Sequence, residues 1–131
     1  MAGLTTEAGR TKDGKSFVIN GQKKWITQGQ LATHALCAAR TGGPGHKGVT
    51  VFIVDMSTQG VHRKKMLNSG VSSSGSTFVD LDNVIVPVEN VLGREGQGFE
   101  IIMSSKCQPP FNNYQEKGLE RRPVNYQVAN M

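Results

Sequence analysis

Apolar positions in this chain come in short runs whose spacing predicts strands. Thr77 to Asp82 alternates, with Val79 and Leu81 set against Asp80 and Asp82, the period of a strand buried on one face. Val49 to Asp55 is apolar on both sides of its pleat, Val49, Val51 and Ile53 against Phe52 and Val54. That pattern predicts a strand covered on both faces and placed near the centre of a sheet. Further strands are expected at Leu4 to Arg10, Ser16 to Asn20, Lys23 to Gln28, Thr33 to Arg40, Val61 to Met66 and Ile85 to Pro87. Turn signals separate them. Asp13-Gly14 and Asn20-Gly21 are dipeptides that accept positive φ at both central positions of a two-residue hairpin turn, and Ser72 to Ser76 predicts a flexible turn. Gly98 to Ser105 reads as the first turns of a helix, and Pro109-Pro110 forbids its continuation. Residues 106–131 hold Gln, Asn, Pro and charge without a period, so an irregular, disordered tail is expected there. The whole predicts an all-β fold, a small antiparallel β-barrel or orthogonal sandwich of about seven to eight short strands.

Composition fits this picture. A chain of 131 residues forms one domain at most, and its 16 glycines point to turns rather than long helices. No run approaches the ~20 apolar residues of a membrane span, and the N-terminus has neither a signal-peptide apolar region nor an Arg-rich amphipathic stretch. The expectation is an intracellular protein that does not contact membrane. Cys37 sits in the apolar run Ala35 to Ala39 and reads as a small buried hydrophobe. Cys107, His34, His46 and His62 make no ligand spacing, so no metal is expected.

The net charge of +5 permits contact with polyanions. Its clusters are Lys23-Lys24, Arg63-Lys64-Lys65 and Arg121-Arg122, each read as a solvated face or as an attractor of phosphates. Aromatics make up only 6% of residues, too few for base-stacking platforms, and no helix-turn-helix, finger or RNP pattern occurs. Nucleic acid is not an expected partner.

One segment carries candidate chemistry. After the expected turn at Asn20-Gly21, Trp25 and Thr27 lie two residues apart on one side of a strand, with Ile26 on the other. An indole beside a hydroxyl suits a planar heteroaromatic ring, which needs one stacking contact and one polar contact to fix its orientation. The competing reading is a Trp in a sheet core beside a β-branched Thr. The loop Thr41 to Lys47 lacks the order of a phosphate-binding P-loop, so its glycines are read as turn residues.

Taken in order, Asn20-Gly21, Lys24-Trp25-Ile26-Thr27, Gly48 to Val54, Phe78-Val79, Asp82 to Gly93 and Glu95-Gly96-Gln97-Gly98-Phe99 resemble the middle β-domain of the acyl-CoA dehydrogenases. The resemblance runs over roughly residues 3 to 105. It implies residues 1–95 as that domain, 96–105 as the start of a helix and 106–131 as a tail foreign to the family. It also implies FAD as cofactor, with Trp25 on the flavin ring, Thr27 hydrogen-bonded near N5 and Ile26 contributing backbone. Gln28 stands where the family more often has Asn. The reaction implied for the full enzyme is α,β-dehydrogenation of an acyl-CoA thioester, in a mitochondrial or peroxisomal setting. The family's general-base Glu comes from a C-terminal helical domain, and Glu7 is not given the role of the flavin- and CoA-contacting acidic segment. No catalytic residue is therefore expected in this chain. A truncated or spliced product, or an incorrect gene model, is expected, lacking both helical domains. The alternative function is an inert β-module that self-associates through uncovered sheet faces.

Overall fold

The computed structural model describes residues 4–69, 72–107 and 127–128. Its strands are β1 (Glu7–Arg10), β2 (Ser16–Ile26), β3 (His34–Arg40), β4 (Val49–Asp55), β5 (Val61–Lys65), β6 (Thr77–Pro87), β7 (Val91–Leu92) and β8 (Gln127–Val128), and the helix α1 is Gly98–Cys107. The strands form one sheet in the order β5-β6-β2-β1-β3-β4-β7, with β8 added to β3. Neighbours are antiparallel except at β1/β3 and β3/β8, which are parallel.

This sheet folds over on itself. The rings of Phe17 on β2 and Phe52 on β4, strands that are not neighbours, meet edge to face at 5.1 Å. Around them Ile19, Val54, Val79, Leu81, Val84 and Val86 make the main core. The result is sandwich-like rather than a closed barrel, because the end strands β5 and β7 do not pair with each other. A second, smaller core of Leu4, Ala38, Val49 and Val51 lies on the outer face of β3 and β4, with Ile102 of α1 packed against it.

β4 is apolar on both faces as expected, but not because it is central. It is the last full-length strand before the two-residue β7, and α1 covers its second face. The Asp13-Gly14 hairpin forms: Gly14 has φ +70° and joins β1 to β2, with Arg10 opposite Phe17.

Asn20-Gly21 does not turn. β2 runs straight through it and pairs with β6 from Ser16↔Pro87 to Ile26↔Thr77, so the expected strands Ser16 to Asn20 and Lys23 to Gln28 are one strand ending at Ile26. The segments Thr77 to Asp82 and Ile85 to Pro87 are likewise one. Positive φ at this level serves a bulge instead of a hairpin. Ile19 faces Val84 and Gly21 faces Leu81, so β6 carries one extra residue here, and Asn83 takes φ +51°. The Asn83 backbone N–H donates to Asn20 Oδ1 at 2.8 Å, and Asn20 Nδ2 donates to Asn83 Oδ1 at 3.3 Å. Gly21 has φ +139°, and a Cβ there would lie 2.7 Å from Thr6 Cα. The glycine is needed for the close approach of two backbones.

Gly21→Ala is therefore expected to destabilise the fold by more than about 1 kcal/mol in urea denaturation. Gly9→Ala, where a Cβ meets nothing within 4 Å, should change stability by less than about 0.5 kcal/mol. Equal effects would show that Gly21 is a replaceable loop residue.

Candidate functional site

A second bulge shapes the end of β2. Lys23 pairs with Val79 and Ile26 with Thr77, so Lys24 and Trp25 together oppose the single residue Phe78. Trp25 takes φ +66°, a left-handed conformation that costs a bulky residue on the order of 1 kcal/mol. Trp25 is 57% exposed, whereas Ile26 is 4% exposed and packed in the main core. Thr27 is exposed as well. Trp25 and Thr27 are thus both exposed, with Ile26 turned inward between them. Simple alternation is not the cause, because the bulge exposes Lys24 and Trp25 in succession. The Lys24 ammonium lies over the indole, 5.3 Å from its centroid.

The chain beyond Ile26 is tied down on several sides. Gln28 takes φ +56°, a region that Asn tolerates better than Gln. Its backbone N–H donates to Ser74 O at 3.0 Å and its Nε2 to Ser73 O at 3.0 Å. A Cβ on Gly29 would lie 2.8 Å from Thr77 Cβ, so this segment sits directly on the start of β6. From β5, Arg63 Nη1 donates to the carbonyls of Gln30 at 3.1 Å and Ala32 at 3.3 Å. Arg63, exposed like its neighbours Lys64 and Lys65, therefore also closes the loop after the Trp25 bulge. Arg121 and Arg122 lie outside the described residues.

Lys23 departs furthest from its sequence reading as a solvated or phosphate-attracting charge. It is 5% exposed, and its Nζ donates to Ala38 O at 2.8 Å from within the apolar interior. Beside it is a cavity of about 20 Å³ walled in part by Ile26, Cys37, Met56 and Leu81. Desolvation pushes the Lys23 ammonium below its ordinary pKa, and the nearby Cys37 opposes this. Burial pushes the Cys37 thiol up, offset in part by Lys23. Cys37 is a buried, free thiol, as its apolar surroundings in sequence predict. Charge gave no sign of Lys23's position. The signal available was that it falls in the alternation Phe17, Ile19, Gly21, Lys23, the inward side of β2.

This geometry, a bent β-domain with an indole and a hydroxyl exposed on a strained bulge, can be set beside known proteins. A family model described as acyl-CoA dehydrogenase, middle domain, matches residues 1–84, well over half of the chain. The chain belongs to the acyl-CoA dehydrogenase family. Acyl-CoA dehydrogenase apdG of Emericella nidulans is 42% identical over 106 residues, 80% of this chain and 24% of that protein. The mitochondrial short/branched chain specific acyl-CoA dehydrogenase of Bos taurus is 36% identical over 96 residues, covering 72% and 22%. Among solved structures, the acyl-CoA dehydrogenase of Bacillus anthracis complexed with FAD superposes with a TM-score of 0.71 at 30% identity, covering 77% of this chain and 17% of that one. The chain thus spans about a quarter of the length of the acyl-CoA dehydrogenases it matches among curated relatives.

The buried Lys23 has a pH signature. The unfolded chain holds this proton more tightly than the folded one, so unfolding takes up a proton in the window between the lowered folded pKa and 10.5. Stability contributed at this site is lowest below that window and rises with pH through it. The urea midpoint of the native protein should therefore gain on that of Lys23→Met between pH 7 and pH 10. A constant difference across that range would show that the ammonium is not desolvated.

Proposed function

We propose that this chain contributes the flavin-facing part of an acyl-CoA dehydrogenase, whose complete form carries out α,β-dehydrogenation of an acyl-CoA thioester in a mitochondrial or peroxisomal compartment. The observation that carries this reading is Trp25, a large aromatic residue left 57% exposed on a left-handed bulge. An exposed ring gains burial and stacking when a planar ligand covers it, which offsets the strain of holding it there. The residues present fit an isoalloxazine: Trp25 would lie against the ring, Thr27 would supply a hydroxyl to its polar edge, and Ile26 would hold their backbone by its anchor in the core. When bound, FAD supplies the redox chemistry of the reaction. The chain's part is placement. Gln28, Gly29 and Arg63 fix the loop behind the bulge, so the indole and hydroxyl meet the ligand in one geometry. No residue is assigned as general base, because that role needs a carboxylate within hydrogen-bond reach of the α-proton, and the residues of this bulge, Lys24, Trp25 and Phe78, carry no carboxyl group.

FAD is expected to bind the chain weakly, and Trp25, its sole tryptophan, reports on the site. Added FAD should quench its emission in a saturable way. By calorimetry, Trp25→Asn should abolish binding and Thr27→Val should weaken it. Asn tolerates the left-handed region and the ring is largely exposed, so Trp25→Asn should leave stability within about 0.5 kcal/mol of the native value. Quenching that never saturates, or unchanged FAD binding in Trp25→Asn, would remove the flavin reading.

A second reading, a β-module that self-associates through its sheet faces, is favoured by a separate observation. Ile85 on β6 is 59% exposed, and Leu31 and Leu67 are 79% and 95% exposed. Light scattering should then show a dimer or larger species that Ile85→Lys returns to monomer. A monomer in both forms would leave only the flavin reading.

A further inference from the structure

We propose that the edge of β3 around Leu36 is a strand-acceptor slot, and that the chain's own C-terminal residues Gln127 and Val128 fill it in parallel. One side of β3 is fully used by β4, from His34↔Asp55 to Arg40↔Val49. In such an antiparallel strand, alternate residues turn their backbone N–H and C=O to the opposite edge. Arg40 is one of these, because its N–H donates to Thr6 O at 2.8 Å just before β1. Ala38 is the next, because its carbonyl accepts Lys23 Nζ at 2.8 Å. By the same two-residue repeat Leu36 faces that edge as well.

β1 cannot serve Leu36. Its contact with β3 is the single pair Glu7↔Arg40, after which it pairs with β2 as far as Arg10↔Phe17. Ala35, Cys37, Ala38 and Ala39 are all buried, so an unpaired backbone group on this strand is costly. The register Ala35↔Gln127 and Leu36↔Val128 places β8 at the position left open. Lys23 sets its limit, since the Ala38 carbonyl is already taken. The slot therefore suits a short extended segment that donates and accepts through its backbone, and it excludes proline at the position opposite Ala35, because in a parallel ladder Leu36 bonds the residues on either side of its partner and the partner's own N–H turns away. Occupation by the chain's own terminus closes an edge that would otherwise pair with a second molecule.

The inference is independent of flavin binding and is tested on the full chain by amide exchange in nuclear magnetic resonance. Gln127→Pro, which removes the N–H that the register aims at the His34 carbonyl, should speed exchange of the Leu36 amide about tenfold or more. Exchange at Arg40 and the emission of Trp25 should stay as in the native protein, and Asn130→Pro, beyond the register, should behave as native. A nuclear Overhauser contact between Leu36 and the backbone of 127–128 in the unmodified chain is expected independently of any variant. Equal Leu36 exchange in all three proteins, or absence of that contact, would overturn the slot. Leu36 protection that grows with protein concentration would overturn the intramolecular assignment, because a second copy would then supply the strand.

Discussion

The pairing of β2 with β6 is the constraint on which the rest of the molecule depends. Two eleven-residue strands paired along their length make a sheet that must curve to bury both its ends, and two bulges accomplish this from opposite sides. The extra residue lies in β6 near Asn83 and in β2 at Lys24-Trp25. A bulge bends its own strand and increases local twist, so one on each strand lets the pair curl. That curl brings Phe17 onto Phe52 and leaves β4 at the far end facing the same core as β2. The candidate site is a by-product of the same bend. Without the second bulge, Trp25 would take its place in the ordinary alternation of the strand.

Much of the fold was legible because burial imposes a period of two that side chains cannot hide. Phe17 and Ile19, Val79 and Leu81, and the doubly apolar β4 all reach the interior as their spacing predicts. The dipeptide Asn20-Gly21 is a weaker hairpin signal than its local preference suggests. Such a pair marks a tolerance for positive φ, and that tolerance serves a hairpin, a bulge or a tight backbone crossing equally well. Only the partner strand, far away in sequence, decides among them. The bulge at Trp25 was illegible for the opposite reason, since an aromatic residue in the left-handed region contradicts local preference and is held there by tertiary contacts.

Charge was the poorest guide. Lys23 and Lys24 are neighbours in sequence, yet one lies in the core hydrogen-bonded to a carbonyl and the other over the face of an exposed indole. Arg63, beside them in charge, spans three turn carbonyls. The positions of Lys23 and Arg63 follow from acceptors that the strand ladders leave free, at the edge of β3 and in the loop after β2. Such acceptors become visible only when the strand order is known. The short β8 had no legible signal either, because backbone pairing at an edge asks for extension and not for any pattern of side chains.

The sequence distance between β2 and β6 also orders events in time. Every pair that frames the Trp25 bulge joins residues 16–26 to residues 77–87, so the loop between them must close before either strand gains its ladder. A topology of such distant contacts folds slowly compared with one of local hairpins. During synthesis the β1–β2 hairpin, with its turn at Asp13-Gly14, has all its residues from the start. The surface that presents Trp25 and Thr27 exists only after the chain has emerged as far as Pro87.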